Sequence, residues 1–99
     1  MTTRSHIRKI IVIMQAQKKI LQKATAKVVK KLRKKSITKC ADEICMGKSL
    51  WADLEKEIKA PQFSTLWRIA EGLEIKPHQL VKLIEEDLGE HFSFLGTDF

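Results

Sequence analysis

A chain of 99 residues fits one domain with little left for a second, and its 43% hydrophobic residues suffice for a modest core. Only 4 Gly, 2 Pro and 6% aromatic residues favour helices over a strand-and-turn architecture. The 2 cysteines exclude a disulfide framework, and the longest apolar run, residues 10–14, is too short for a signal peptide or a membrane span. We therefore expect a cytoplasmic protein without membrane association, in which Cys40 and Cys45 are small buried hydrophobic residues.

The positive charge is concentrated in the first part of the chain. Residues 1–39 carry 13 of the 19 Lys and Arg and no acidic residue, whereas residues 40–99 carry 6 basic and all 12 acidic residues. The net charge is +13 for residues 1–39 and −6 for residues 40–99. This asymmetry indicates a polyanionic partner for the first part, either nucleic acid or an anionic membrane surface. A basic helix that only keeps the protein soluble is the alternative.

A long amphipathic first helix is predicted from Ile7 to Leu32, because apolar residues recur at helical spacing and no Gly or Pro interrupts residues 1–46. Its apolar side is expected to hold Ile7, Ile11, Met14, Leu21, Thr25, Val28 and Leu32. We assign residues 1–25 to a basic N-terminal helical extension, residues 26–90 to the main domain and residues 91–99 to a Phe-containing tail. Met14 could equally be the natural start.

Two short helices are predicted next, near residues 39–45 and 48–56. Ser36 and Thr38 are hydroxyl residues that can cap the first of them, and Gly47 separates the two. The second would bury Trp51 and Leu54, flanked by Leu50 and Ile58.

Two further helices complete the predicted set. Pro61 marks a turn, Ser64 caps a helix that ends near Leu73, and Pro77 begins a last helix that Gly89 stops after Leu88. We expect Trp67 to be a core residue together with Leu66, Ile69, Ala70, Leu73, Leu80, Val81, Leu83 and Ile84.

The second and third helices suit the major groove of DNA, which is ~12 Å wide and admits one helix. In such a pair the first helix braces across the backbone, and the N-terminal residues of the second reach base edges. Ala41 is small enough for a close helix crossing. The expected inner face consists of Ile44, Met46, Trp51 and Leu54, which leaves Lys48, Ser49, Ala52 and Asp53 outside.

These residues carry a family resemblance. In order, Ala41, the turn at 46–49, Glu55, Pro61 and the segment 66–73, which reads Leu-Trp-Arg-Ile-Ala-Glu-Gly-Leu, match the pattern of one family. The stretch from residue 36 to about 80 resembles the Cro/phage-repressor (xenobiotic-response-element) helix-turn-helix domains. The resemblance implies an all-α, five-helix lambda-repressor-like domain, here with a long basic N-terminal helix. It also implies a sequence-specific DNA-binding transcriptional regulator, a repressor, that binds double-stranded DNA as a homodimer.

The resemblance also assigns roles to single residues. Lys48 and Ser49 fall where the family contacts bases or phosphates, and Ala52 and Asp53 fall on the groove-facing side of the same helix. A lysine can donate to guanine acceptors, whereas an aspartate can accept from a cytosine amine and is repelled by phosphate. The residues placed to contact phosphates, which supply register and salt-dependent affinity, are Thr38, Lys39, Lys56 and Lys59.

Glu55 would be repelled by DNA and is expected to point inward as an ion-pair partner. The resemblance implies that the other partner is a cation of the first helix, Lys30 or Arg33. Three features depart from the family pattern. Cys45 and Glu57 stand where Gly is usual, the first connection is short, and Ile37 stands nearest to the usual Gln.

Two other functions stay open. The chain could be an antitoxin or an adaptor of the coactivator type, contacting a protein through its N-terminal helix or its tail, or it could bind nucleic acid non-specifically through residues 1–39. The dimer surface is expected on the last helix and the tail phenylalanines, Phe92, Phe94 and Phe99. The sequence lacks closely spaced metal ligands and catalytic arrangements, so we expect no metal, no cofactor and no enzyme.

Overall fold

The computed structural model describes the backbone of residues 2–94 and the side chains of residues 9–94, and this part of the chain is all-helical. Its helices are α1 (Thr2–Leu32), α2 (Ile37–Glu43), α3 (Lys48–Glu55), α4 (Phe63–Gly72) and α5 (Pro77–Leu88). The predicted all-α class with five helices is confirmed for these residues. None of the described helices combines the length and hydropathy that crossing a membrane requires.

The helix ends follow local signals in the sequence. Ser36 is the N-cap of α2, since its Oγ accepts a hydrogen bond of 3.2 Å from the amide of Lys39, and α2 therefore begins two residues earlier than predicted. Ser64 does not cap α4, which begins one residue before it with Gln62 in the capping position. Helix α5 has the predicted bounds, and Gly89 ends it with a φ of 89° that favours glycine.

The core lies between the C-terminal half of α1 and the four shorter helices. Its largest fully buried side chains are those of Val29, Trp51, Ile69 and Leu80. Helix α1 packs on α3 and α5, and Lys27 Nζ lies 3.0 Å from the Asp87 carboxylate of α5. The part of α1 from about Leu21 onward therefore forms one side of the core.

The N-terminal half of α1 extends beyond the core formed by the five helices. A helix of 31 residues is roughly 46 Å long, far longer than the other four, and the chain measures 53 Å along its longest axis. Ile11 and Met14, predicted on the apolar side, are exposed, while the side chain of Ile7 lies outside the described residues. The helix crosses the domain boundary predicted after residue 25 without a break, and Ala24 is already buried; that boundary stays a prediction.

Several burial predictions are wrong. Trp67 is 49% exposed, and Val81 and Leu83 of α5 are also exposed. Trp67 lies beside the buried residues Ile69 and Ala70 of α4 and lines an open groove with residues of α5. Of the two cysteines, both free, Cys40 is buried but Cys45 is exposed.

Candidate nucleic-acid interface

Helix α3 has a sharp division between an outward and an inward side. Lys48 and Ser49 are exposed at its start, and Ala52 and Asp53 follow half-buried one turn later. Counted from position 48, positions 49, 52 and 53 are one, four and five residues further along the chain. At helical spacing these four positions share one side of a helix. Trp51, Leu54 and Glu55 are the buried residues of the helix. The four candidate residues of α3 are therefore presented together, away from the core.

The other predicted contact residues lie outside α3. Lys56 follows α3 directly and is exposed. Lys59 is exposed in the next loop, where it lines the same cleft as Asp53. Thr38 and Lys39 are exposed on a different element, the first turn of α2. The structure thus groups four candidates on α3, places Lys59 and Asp53 in the lining of one cleft, and carries the other two candidates on α2.

The first amides of α3 also bear on anion binding. Gly47 occupies the N-cap position and offers no side-chain cap. The N–H groups of a helix's first turn have no partner within the helix, and the helix dipole makes that end positive. A phosphate oxygen approaching Lys48 would therefore meet backbone donors as well as the ammonium group.

A buried carboxylate fixes the inward side of α3. Glu55 is 3% exposed and accepts three hydrogen bonds, from Arg33 Nε at 2.7 Å, from Arg33 Nη2 at 3.2 Å and from Trp51 Nε1 at 2.6 Å. Arg33 also donates from Nη1 to the Lys35 carbonyl at 2.7 Å. One guanidinium therefore joins the end of α1, the first connection and α3.

This arrangement identifies the partner of Glu55. The expectation of an inward ion pair is confirmed, and its cation is Arg33, because Lys30 is exposed on α1. Hydrogen bonding to Glu55 raises the pKa of the Arg33 guanidinium above its usual value. A bidentate pair of this kind fixes the relative orientation of the guanidinium and the carboxylate as well as their distance. It joins the last turn of α3 to the end of α1 and limits rotation of α3 about its axis.

The turn between α2 and α3 is shaped by a backbone conformation that usually belongs to glycine. Cys45 has a φ of 52° and Glu57, just after α3, has a φ of 61°. These are the two positions where the resembled family has Gly. The left-handed conformation costs a non-glycine residue roughly 1–2 kcal/mol. The fold keeps both turns without the usual residue, so other contacts must offset that strain.

One such contact was not predicted from the sequence. Arg68 of α4 donates from Nη2 to the carbonyls of Ile44 at 3.0 Å and Cys45 at 2.7 Å. These carbonyls at the end of α2 would otherwise lack partners. No local pattern reveals this role, because Arg68 lies 23 residues after Cys45 in the chain.

Helix α4 also supports α3 directly. A Cβ atom built on Gly72 would lie 3.1 Å from Cζ3 of Trp51 and 3.2 Å from Cγ2 of Ile44. The Trp51 ring therefore packs almost against the backbone of α4. Helix α3 is held by α1 through Arg33 and by α4 through this contact.

In comparisons with known proteins, no family model, no curated protein and no solved structure matches this chain significantly.

Proposed function

We propose that this chain is a sequence-specific DNA-binding transcriptional regulator, a repressor with a lambda-repressor-like helix-turn-helix domain of the Cro/phage-repressor type. Helix α3 is the reading helix, and α2 braces across the DNA backbone. The protein binds as a homodimer to a two-fold operator whose half-sites are about one helical turn apart.

One observation carries this proposal. Helix α3 follows a short turn after α2, exposes Lys48 and Ser49 at its start, and is anchored from behind by the buried pair of Glu55 and Arg33. Base reading needs side chains that are free in front and rigidly positioned from behind. An exposed helix with a mobile axis would lose that precision.

The charge distribution supports a division of roles. Residues 40–99 sum to −6, so the domain that contains α3 is repelled by DNA as a whole. Affinity must then come from local cations such as Lys48, Lys56 and Lys59, together with the basic α1. Phosphate contacts of this kind supply salt-dependent affinity without sequence information, whereas α3 supplies the preference.

Selection of bound DNA from a random pool, followed by sequencing, tests the proposal. An enriched two-fold motif supports it. The Lys48→Ala variant should then weaken binding to that motif by about 1–3 kcal/mol and relax base preference at one position in each half-site. Lys34→Ala, which removes the same charge from an exposed position between α1 and α2, is the matched control and should leave base preference unchanged. Equal losses of Lys48→Ala on the motif and on random DNA would refute base reading by Lys48.

A second candidate function rests on the free half of α1. Ile11, Val12, Ile13, Met14 and Ile20 are all exposed, and burial of these apolar side chains against a partner would be favourable. An antitoxin or adaptor would use this segment for its main partner. Selection that enriches no motif would favour this function, and a small toxin gene next to its own would favour the antitoxin.

A further inference from the structure

The side of α1 that packs into the core continues beyond the core without cover. Ile10, Ile13, Met14, Gln17 and Leu21 recur at i, i+3, i+4, i+7 and i+11, which keeps them on one side of the helix. Leu21 packs against the core, whereas Ile13 and Met14 are exposed. We call these five residues the α1 stripe.

The segment that follows α5 already runs toward the uncovered part of this stripe. Asp87 of α5 lies 3.0 Å from Lys27 Nζ, and the Ser93 carbonyl accepts a hydrogen bond of 2.6 Å from Gln17 Nε2. Lys27 and Gln17 are ten residues apart on α1, which is roughly 15 Å along its axis. From Asp87 to Ser93 the chain therefore advances toward the N-terminus of α1.

The end of the described chain is apolar at this point. Phe92 and Phe94 pack edge-on against each other at 5.7 Å; Phe92 is half-buried and Phe94 is exposed. The sequence continues with Leu-Gly-Thr-Asp-Phe, residues 95–99, which lie outside the described residues. The dimer surface expected from the sequence on the last helix and the tail includes Phe99 and stays a prediction.

The remaining segment is long enough to cover the stripe. An extended chain advances about 3.3 Å per residue, so the six residues after Ser93 span up to roughly 20 Å. Gln17 and Ile10, seven residues apart, are only roughly 10.5 Å apart along the helix axis. If the chain keeps its advance of ten α1 residues for the six residues from Asp87 to Ser93, residue 95 comes beside Met14.

The charges favour this segment over a second copy of α1. Lys9 and Lys18 are exposed, one on each edge of the stripe at 3.6 residues per turn. A second α1 laid antiparallel and centred between positions 13 and 14 would set Lys9 of each copy against Lys18 of the other, and residues 1–39 hold no acidic residue to offset that repulsion. Residues 89–99 carry Glu90 and Asp98 and no Lys or Arg, so they are attracted to the same helix.

We propose that residues 95–99 dock on the α1 stripe of their own chain, with Leu95 beside Met14. In an extended segment Leu95 and Phe99 fall on the same side, so both are buried against the stripe together. The segment then braces the free half of α1 against the end of α5 and leaves Val12, on the other side of the helix, uncovered. This proposal does not rest on the proposed function.

A nitroxide spin label on Gln15→Cys tests the contact by NMR of the isotopically labelled full chain. Cys45→Ala removes the other exposed thiol, and Cys40 is buried. The label should broaden the amide signals of residues 95–99. The same label on Lys31→Cys, 16 residues or roughly 24 Å further along α1, should leave those signals sharp.

Two outcomes of this experiment would overturn the proposal. The first is a Gln15→Cys label that broadens residues 95–99 no more than the Lys31→Cys label does. The second is broadening that appears only when a spin-labelled chain is mixed with a separate, isotopically labelled chain, since the segment then docks on another copy.

Two variants in the spin-labelled chain test which side of α1 is used. Met14→Ser removes an apolar side chain from the stripe and should abolish most of the broadening. Val12→Ser removes an apolar side chain that is 63% exposed, two residues away and on the other side, and should leave the broadening unchanged. Equal effects of the two variants would contradict docking on the stripe. Circular dichroism checks that both variants keep α1 helical.

Hydrogen exchange of the unlabelled full chain measures the strength of the contact. Leu95→Ser should speed the exchange of the amides of residues 10–14 by roughly 10-fold, as expected from the loss of one partly buried leucine. Thr97→Ser removes only a methyl group from the same segment and should leave these rates nearly unchanged. Rates in Leu95→Ser equal to those of the wild type would overturn the contact of Leu95 with α1.

Discussion

Replacing Glu55 with alanine tests how α3 is anchored. Glu55→Ala deprives Trp51 Nε1 of the acceptor 2.6 Å away and deprives Arg33 of both oxygens of its bidentate contact. Trp51 is fully buried, so its indole donor cannot turn to water. Arg33 keeps only its bond to the Lys35 carbonyl.

The expected loss follows from these two groups. An unsatisfied buried donor costs about 1–3 kcal/mol, and removing one partner of a buried ion pair costs about 3–5 kcal/mol. The Arg33 side chain is 24% exposed and can be partly rehydrated, which puts the total at the lower end. We expect a loss of about 3 kcal/mol, a large share of the 5–15 kcal/mol typical of a folded domain.

Urea denaturation followed by circular dichroism and Trp fluorescence measures this loss. The control is Glu43→Gln, which breaks the ion pair between Glu43 and Lys35 at 2.9 Å, where both partners are well exposed. Such surface pairs contribute little, so the control should unfold almost at the wild-type midpoint. A loss for Glu55→Ala no larger than that of the control would refute the anchoring role of the buried carboxylate.

Three further predictions concern the backbone and α1. Gly72→Ala should destabilise by about 1–2 kcal/mol in the same denaturation assay, because its Cβ would press on the Trp51 ring. Gly47→Ala, whose Cβ would meet no atom within 4 Å, should cost only about 0.5 kcal/mol, because alanine is a poorer N-cap than glycine, and equal effects would contradict the close contact. Cys45→Gly should stabilise by about 0.5–1 kcal/mol by relieving the φ of 52°, whereas Cys45→Ala keeps that strain and should melt like the wild type. Removing residues 1–13, which precede the buried part of α1, should leave the melting temperature nearly unchanged. If Arg4, Arg8 and Lys9 contact phosphates, the salt slope of DNA binding should fall by up to about 2.7, and an unchanged slope would exclude that contact.

Local signals explain why much of the fold was predictable. Ser36 as a cap, Pro77 as a first helical residue and Gly89 as a stop act within a few residues of themselves, so the bounds of α5 are those predicted and those of α2 differ by two residues. The inward side of α3 was predictable for a related reason. Trp51 and Leu54 recur at helical spacing beside exposed polar residues, and this pattern needs no knowledge of what packs against them.

The same pattern fails where a helix has more apolar residues than neighbours to cover them. Periodicity predicts which side of α4 and α5 is apolar, but Trp67, Val81 and Leu83 lie at the margin of that side and are exposed. Helix α1 shows the effect on a larger scale. The helical spacing of its apolar residues includes Ile11 and Met14, yet only residues from about Leu21 onward pack against the core.

The sequence by itself therefore determined the helical class and the order of the five described helices, since these depend on residues close together in the chain. The inward orientation of Glu55 was expected for a different reason, its repulsion by DNA. Only the tertiary structure decided that Arg33 rather than Lys30 pairs with Glu55, and that Arg68 holds the turn at Cys45. Both contacts join residues more than 20 positions apart. The choice between neighbouring cations depends on where each helix ends and how it is rotated, which no local pattern specifies.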